Sequence, residues 1–221
     1  MFFFPKDIIK GLVSFIYPPL CEICGIKIAN ENNNICEKCF NKIITITPPV
    51  AIRQNDINIW AVCAYEGTLK ECIHLFKYKS RLGLAGPLSR LMINFTNNYL
   101  NLNKFDIIMP VPLHRNRLLE RGFNQAELLA KNLSKNSGCA ICPNLLKKTK
   151  STRPQTGLSK TKRSENIKNA FKVNKKMPVK DKNILIVDDV LTTGSTIAEC
   201  ADTLLEAGAN SVQALVLARG I

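Results

Sequence analysis

One stretch near the C-terminus restricts the fold more than any other: Ile184-Leu185-Ile186-Val187-Asp188-Asp189-Val190-Leu191-Thr192-Thr193-Gly194-Ser195-Thr196. Four consecutive apolar residues suit a strand buried on both faces, the situation inside a parallel sheet covered by helices. The Thr-Thr-Gly-Ser-Thr run suits a tight turn opening a helix, where backbone N–H groups and the helix dipole favour a phosphate. Gly194 lets the backbone approach the anion, and the hydroxyls of Thr192, Thr193, Ser195 and Thr196 can donate further hydrogen bonds. Asp188 and Asp189 would repel a phosphate unless their partner is a set of sugar hydroxyls or a divalent cation. The order therefore predicts a ribose 5-phosphate site, with phosphate on the turn and ribose hydroxyls on the acids. The alternative is a strand–loop–helix connection with an incidental acidic pair. Against it, strand, acids, turn and helix arrive in the order the chemistry requires. No G-x-x-x-x-G-K-[ST] occurs, so a P-loop nucleotide site is not supported.

This segment resembles the signature of type I phosphoribosyltransferases, which bind phosphoribosyl pyrophosphate (PRPP). The resemblance implies that Asp188 and Asp189 hold the ribose 2- and 3-hydroxyls as the catalytic pair, and that residues 192–196 hold the 5-phosphate.

At 221 residues the chain accommodates one α/β domain plus a small module. The expected division is residues 1–55, an N-terminal helix and zinc ribbon, and residues 56–221, a phosphoribosyltransferase-like domain. A hydrophobic content of 46% is ample for a packed core. The net charge of +14 predicts attraction to polyphosphates, nucleic acid or anionic membrane surfaces. Residues 147–182 carry 13 Lys/Arg against two acids and supply most of that excess. Residues 1–17 are apolar but interrupted by Lys6, Asp7 and Lys10, too short and charged to span a bilayer and without a clean signal-peptide core. Ile8, Ile9, Leu12, Phe15 and Ile16 fall on one side of a short amphipathic helix. A cytoplasmic protein without a transmembrane segment is expected.

Nine cysteines fall into three groups. Cys21-x2-Cys24 and Cys36-x2-Cys39, separated by 11 residues, form two knuckles that predict a closed four-thiolate Zn²⁺ site of structural type. The segment between them, with Gly25 and the Asn-rich residues 30–34, suits a β-hairpin. Disulfides fit less well with an odd cysteine count. Cys139-x2-Cys142 has no second pair and reads as small apolar residues of a strand or its approach, and Cys63, Cys72 and Cys200 read as core.

Between these landmarks, Pro48-Pro49 and the polar residues 53–58 mark the end of the zinc module. Strands are expected at 59–65, 105–111, near Leu145-Leu146, at 170–173 and at 212–217. Helices are expected at 68–77, 84–100, 124–135 and 196–207, the last closed by Gly208. Residues 112–122 read as a basic loop. The alternation implies a mainly parallel α/β sheet flanked by helices, with ligands at the strands' carboxyl ends.

Val111-Pro112-Leu113-His114-Arg115-x-Arg117-x3-Arg121-Gly122-Phe123-Asn124-Gln125-Ala126 resembles the central signature of the ComF family. His74-Leu75-Phe76-Lys77-Tyr78-Lys79 resembles that family's Lys-Tyr loop, and Arg153, Gln155, Leu158, Arg163 and Asn166 fit its later pattern. Ser80 departs from the pattern, since glycine is more usual there. Such proteins couple a zinc module to a phosphoribosyltransferase-like domain and are linked to competence for DNA uptake. The resemblance implies PRPP, single-stranded DNA, and competence helicase or translocation proteins as partners, with structural Zn²⁺ and with Mg²⁺ accompanying PRPP. It places the pyrophosphate on the loop of Lys77, Tyr78, Lys79 and Arg81. Residues 147–169 have the composition of a flexible basic loop over the site. Arg115, Arg117, Arg121, Arg153, Gln155 and Arg163 are candidates for pyrophosphate or DNA contacts, and His114 reads as structural.

Two function classes stay open: an enzyme moving phosphoribose from PRPP to an acceptor, and a DNA-handling protein that keeps a PRPP site. Charge and basic loop favour the second, because phosphate contacts need only Lys and Arg. Phe123, Tyr78 and Trp60 are the aromatic residues near basic ones. A PRPP-responsive regulator is disfavoured because no helix-turn-helix is apparent.

Overall fold

The computed structural model describes residues 18–28, 34–54, 57–150 and 167–220. Its centre is a six-stranded sheet in the order β1-β2-β8-β7-β3-β4. The strands are β1 (Ile52–Gln54), β2 (Ile57–Ala64), β3 (Ile107–Pro110), β4 (Ala140–Ile141), β7 (Asn183–Leu191) and β8 (Ser211–Arg219). Every pairing is parallel except β1 with β2. A separate antiparallel pair, β5 (Leu146–Lys148) and β6 (Phe171–Val173), lies apart from it.

Strand alternation divides the interior in two. Leu185 and Val187 of β7 join Leu215, Leu217 and Ile108 on one face. That face is covered by α2 (Gly67–Tyr78), α3 (Ala85–Tyr99) and α5 (Gln125–Ser137). Ile184 and Ile186 join Met109, Ala214 and Val216 on the other, beneath α6 (Ser195–Glu206) and the β5–β6 pair. The helices present the faces their periodicity demands: Leu69, Cys72, Ile73 and Phe76 of α2 are all fully buried, as are Leu88 and Met92 of α3. Asn124 caps α5, its Oδ1 accepting from Ala126 N at 3.1 Å, while its Nδ2 donates to Val111 O at 3.0 Å.

One expectation is corrected. Residues 112–122 are not a loop: Arg115–Arg121 forms α4, with His114 at its N-cap and Gly122 (φ 79°) at its C-cap. No residue of α4 is buried, so it carries no apolar periodicity to read. β7 carries both acids within it and continues to Leu191, pairing Asp188 with Val216 and Leu191 with Arg219. Arg53 and Gln54 belong to β1 and Ile57 and Asn58 to β2, Arg53 standing opposite Asn58.

The N-terminal segment packs on the helical face rather than apart from it. Cys21, Ile28, Ile35, Cys39 and Ile43 share one apolar cluster with Leu84, Leu88 and Leu91. Arg90 stacks on Phe40 of α1 (Glu37–Phe40), its guanidinium carbon 4.7 Å from the ring centre. The expected N-terminal helix lies outside the described residues, as does the middle of the basic loop with Arg153, Gln155 and Arg163. The ends of that loop are β5 and β6.

Candidate functional site

Because β7 persists through the acidic pair, alternation sends the two carboxylates to different layers of the protein. Asp189 follows Leu185 and Val187 to the α2 side, where Lys77 Nζ approaches its Oδ1 at 2.8 Å. Asp188 follows Ile184 and Ile186 to the β5 side, where it feels the charge of Lys148 and neighbours Cys200. Its Oδ1 also accepts the Asp189 backbone N–H at 2.8 Å.

The electrostatics follow from that split. Burial, and then the nearby Asp189 charge, push the Asp188 carboxyl up to about 7, with Lys77 and Lys148 pulling the other way. Burial pulls the Lys77 ammonium down, but the adjacent Asp189 more than offsets it, so Lys77 sits above the ordinary lysine value. Lys148 is depressed, first by burial and then by Arg117.

The turn after β7 leads directly into α6. Gly194 adopts φ 75° at the helix N-cap and supplies no capping side chain, the arrangement in which helix N-termini take up anions. Thr193 Oγ1 and Ser195 Oγ lie 3.0 Å apart across it. Gln54 of β1 covers the turn, donating from Nε2 to Thr193 O at 3.4 Å. A Cβ on Gly194 would clash with Gln54 Oε1.

Acids and turn open into a cleft of about 940 Å³. Lys77, Arg117, Arg121 and Lys148 line it opposite Asp188, Asp189 and Thr196. Of the four residues assigned to pyrophosphate, Lys77 and Tyr78 reach this cleft, whereas Lys79 and Arg81 do not line it. Arg81 turns instead to the N-terminal segment, its Nε 3.2 Å from Glu22 Oε2. Ser80 between them sits at φ 52°, a left-handed conformation that explains why glycine is the easier residue there. Among the arginine candidates Arg117 and Arg121 line the cleft, while Arg115 is exposed at the start of α4. His114 lines the cleft and caps α4, its Nδ1 accepting from Asn116 N at 3.3 Å. Arg121 Nη1 donates to Gln125 Oε1 at 3.1 Å, and Gln125 is only 2% exposed.

Sequence reasoning missed Gln54 and, as an individual residue, Lys148. Gln54 belongs to a short edge strand with no apolar pattern. Lys148 is one cation among many in a basic run, and only its pairing on β5 opposite Phe171 turns it inward.

The four N-terminal thiols form a cage. The sulfurs of Cys21, Cys24, Cys36 and Cys39 all lie within 4.8 Å of one another, and those of Cys24 and Cys36 are 3.7 Å apart. A tetrahedron with Zn–S of about 2.3 Å has edges of about 3.8 Å, so the cage fits Zn²⁺. Backbone N–H groups already point at it: Cys36 N donates to Cys21 Sγ at 3.3 Å and Cys39 N to Cys36 Sγ at 3.4 Å. Burial pushes the Cys21 thiol up, yet the N–H groups of Cys36, Cys24 and Ile23 draw it down to about 6. Cys139 and Cys142 flank the two-residue β4, with Cys139 Sγ donating to Phe105 O at 3.3 Å, so they lie at the strand's approach and exit.

Residues 116–221 match the phosphoribosyl transferase domain. The chain is 36% identical over 203 residues to the DNA utilization protein YhgH of Escherichia coli K12, covering 90% of this chain and 84% of that protein. It is 35% identical over 159 residues to competence protein F of Haemophilus influenzae, covering 70% and 69%. It is 29% identical over 204 residues to competence protein ComFC of Bacillus subtilis, covering 90% and 78%. With relatives matched at this identity over most of both chains, and with a thiol cage ahead of a phosphoribosyl transferase domain, the chain belongs to the ComF family.

Proposed function

We propose that the cleft binds PRPP together with Mg²⁺, and that the protein handles single-stranded DNA during uptake. The observation that carries the first part is the acidic pair at the carboxyl end of a central parallel strand, directly before a helix N-terminus without a side-chain cap. The turn from Thr192 through Thr193, Gly194 and Ser195 to Thr196 takes the 5-phosphate. Asp188 and Asp189 take the ribose hydroxyls and are the residues that would hold Mg²⁺, a cation that uses few carboxylates and keeps water and substrate oxygens. When bound, Mg²⁺ neutralises pyrophosphate charge. Lys77, Arg117 and Lys148 line the remainder of the cleft and supply fixed positive charge for the pyrophosphate. Because Lys77 is paired with Asp189, ligand binding must exchange that contact for one to pyrophosphate.

The DNA part rests on the relatives' names, DNA utilization protein and competence protein, and on the net charge of +14. Calorimetric titration of PRPP with Mg²⁺ into the wild type and the D188A/D189A variant tests the pocket; equal affinity in both would overturn the assignment. Release of pyrophosphate from PRPP in the presence of nucleobases, amines or DNA reads turnover and acceptor together. A salt series of single-strand binding tests the DNA reading, which requires log K to fall with log salt.

A further inference from the structure

We infer that Tyr78, at the mouth of the PRPP cleft, is a stacking platform for an unpaired base of single-stranded DNA; this rests on the DNA-handling reading and places the strand across the cleft entrance. Of the three aromatic residues that the sequence singles out for a DNA contact, two are engaged elsewhere. Trp60 is half-buried on β2, packed 6.2 Å from Phe95, with its Nε1 donating to Gln213. Phe123 is half-buried against Phe76 at 5.6 Å. Tyr78 is 59% exposed although it ends a helix whose inner face is fully buried.

Its surroundings are those of a nucleic-acid contact rather than of a stray surface ring. The His74 ring lies 5.2 Å away one helical turn earlier, and the Arg121 guanidinium lies 5.2 Å from the Tyr78 ring centre. Arg121 does not wander, because the buried Gln125 accepts from its Nη1 at 3.1 Å. Gln125 Nε2 is itself buried without a hydrogen-bond partner among the described residues, a donor in the cleft wall that suits a ligand acceptor. Lys79 follows on the exposed side, and Arg117 lines the same cleft. A largely exposed ring braced by an imidazole and by a fixed guanidinium, with further cations nearby, offers a base a surface to stack on and positive charge for the flanking phosphates. Phosphate contacts alone would need no exposed ring.

The test compares zinc-loaded full-length wild type, Tyr78→Ala and Tyr78→Phe by fluorescence anisotropy, on oligo-dT and on an abasic oligomer of equal length. Base–aromatic stacking predicts that Tyr78→Ala weakens oligo-dT binding by roughly 5- to 150-fold, with Tyr78→Phe near wild type. The slope of log K against log salt stays unchanged, since no phosphate contact is removed. On the abasic oligomer all three proteins bind alike. Loss within about twofold on oligo-dT, or an equal loss on the abasic oligomer, overturns the platform while leaving the DNA reading intact. Failure of the wild type to bind either oligomer at low salt overturns both. Thermal melts of the variants identify any loss that comes from unfolding, and Tyr78→Leu, which keeps apolar bulk but has no ring, then takes the place of Tyr78→Ala with the same expected loss on oligo-dT alone.

Discussion

Replacing Lys77 with Met probes the most closely coupled pair in the cleft. The Lys77 and Asp189 side chains are 18% and 10% exposed and 2.8 Å apart. At an effective dielectric constant of about 20, that separation corresponds to an attraction of about 6 kcal/mol. Desolvation of both groups offsets much of it, so losing the lysine costs about 3 kcal/mol, in the range found for breaking an enclosed pair. Asp189→Asn costs less, about 2 kcal/mol, because Lys77 keeps the field of Asp188. The double variant costs less than the sum by about 2 kcal/mol if the two side chains act as a pair. The pH dependence has a definite sign. Lys77 has a folded value raised above 10.5, so its stabilisation is fully present between pH 6 and 8 and is lost as pH rises from about 10.5 through the raised folded value. Asp188, at about 7, is drawn down by Lys77; without the lysine it holds its proton to higher pH. Ionising it then costs more, so the destabilisation by Lys77→Met is larger at pH 8 than at pH 6. Urea unfolding of the four proteins at both pH values measures all of this. A single-variant cost below about 0.5 kcal/mol at pH 8, or an additive cycle, would refute the reasoning.

Four further outcomes are expected. Gly194→Ala forces a Cβ into left-handed backbone and against Gln54, costing about 2 kcal/mol in urea unfolding; adding Gln54→Ala recovers the clash but not the backbone strain. Asp188 is mostly protonated at pH 6 and mostly ionised at pH 8, so PRPP·Mg²⁺ affinity rises by about tenfold across that interval, beyond the ligand's own titration, and calorimetry on Asp188→Asn shows that increment gone. Because the folded value of Asp188 is raised, its effect on stability falls as pH climbs between about 4 and 7, and Asp188→Asn is the more stable protein at pH 8. Ser80→Gly relieves a left-handed serine and raises stability by about 0.5 kcal/mol, read from the urea midpoint.

The parts legible in the sequence were those encoded by local pattern. The apolar spacing of Leu69, Cys72, Ile73 and Phe76 defined α2, and the run from Ile184 to Val187 defined a doubly buried strand, because burial repeats with the period of the element. The thiol cage was legible because its chemistry is in its spacing. What escaped depended on distant partners or on the absence of burial. Helix α4 contacts no core, so Arg115 and its neighbours show charge and no period. The separation of Asp188 from Asp189 into two layers required knowing that β7 runs on to Leu191. Arg81 sits in a basic loop by sequence, but its partner Glu22 is in another module, and no local rule connects them.

The sheet's outer strands carry one more consequence. β1 has three residues and β4 has two, flanking inner strands of up to nine. Long open strands template pairing with other chains, and very short ones deny a stranger the register it needs. A protein with an interior this rich in Val, Ile and Leu thereby limits its own edge-to-edge association. The three residues that end the sheet at β1 also deliver Gln54 to the phosphate turn, so trimming that edge would cost solubility and ligand site together.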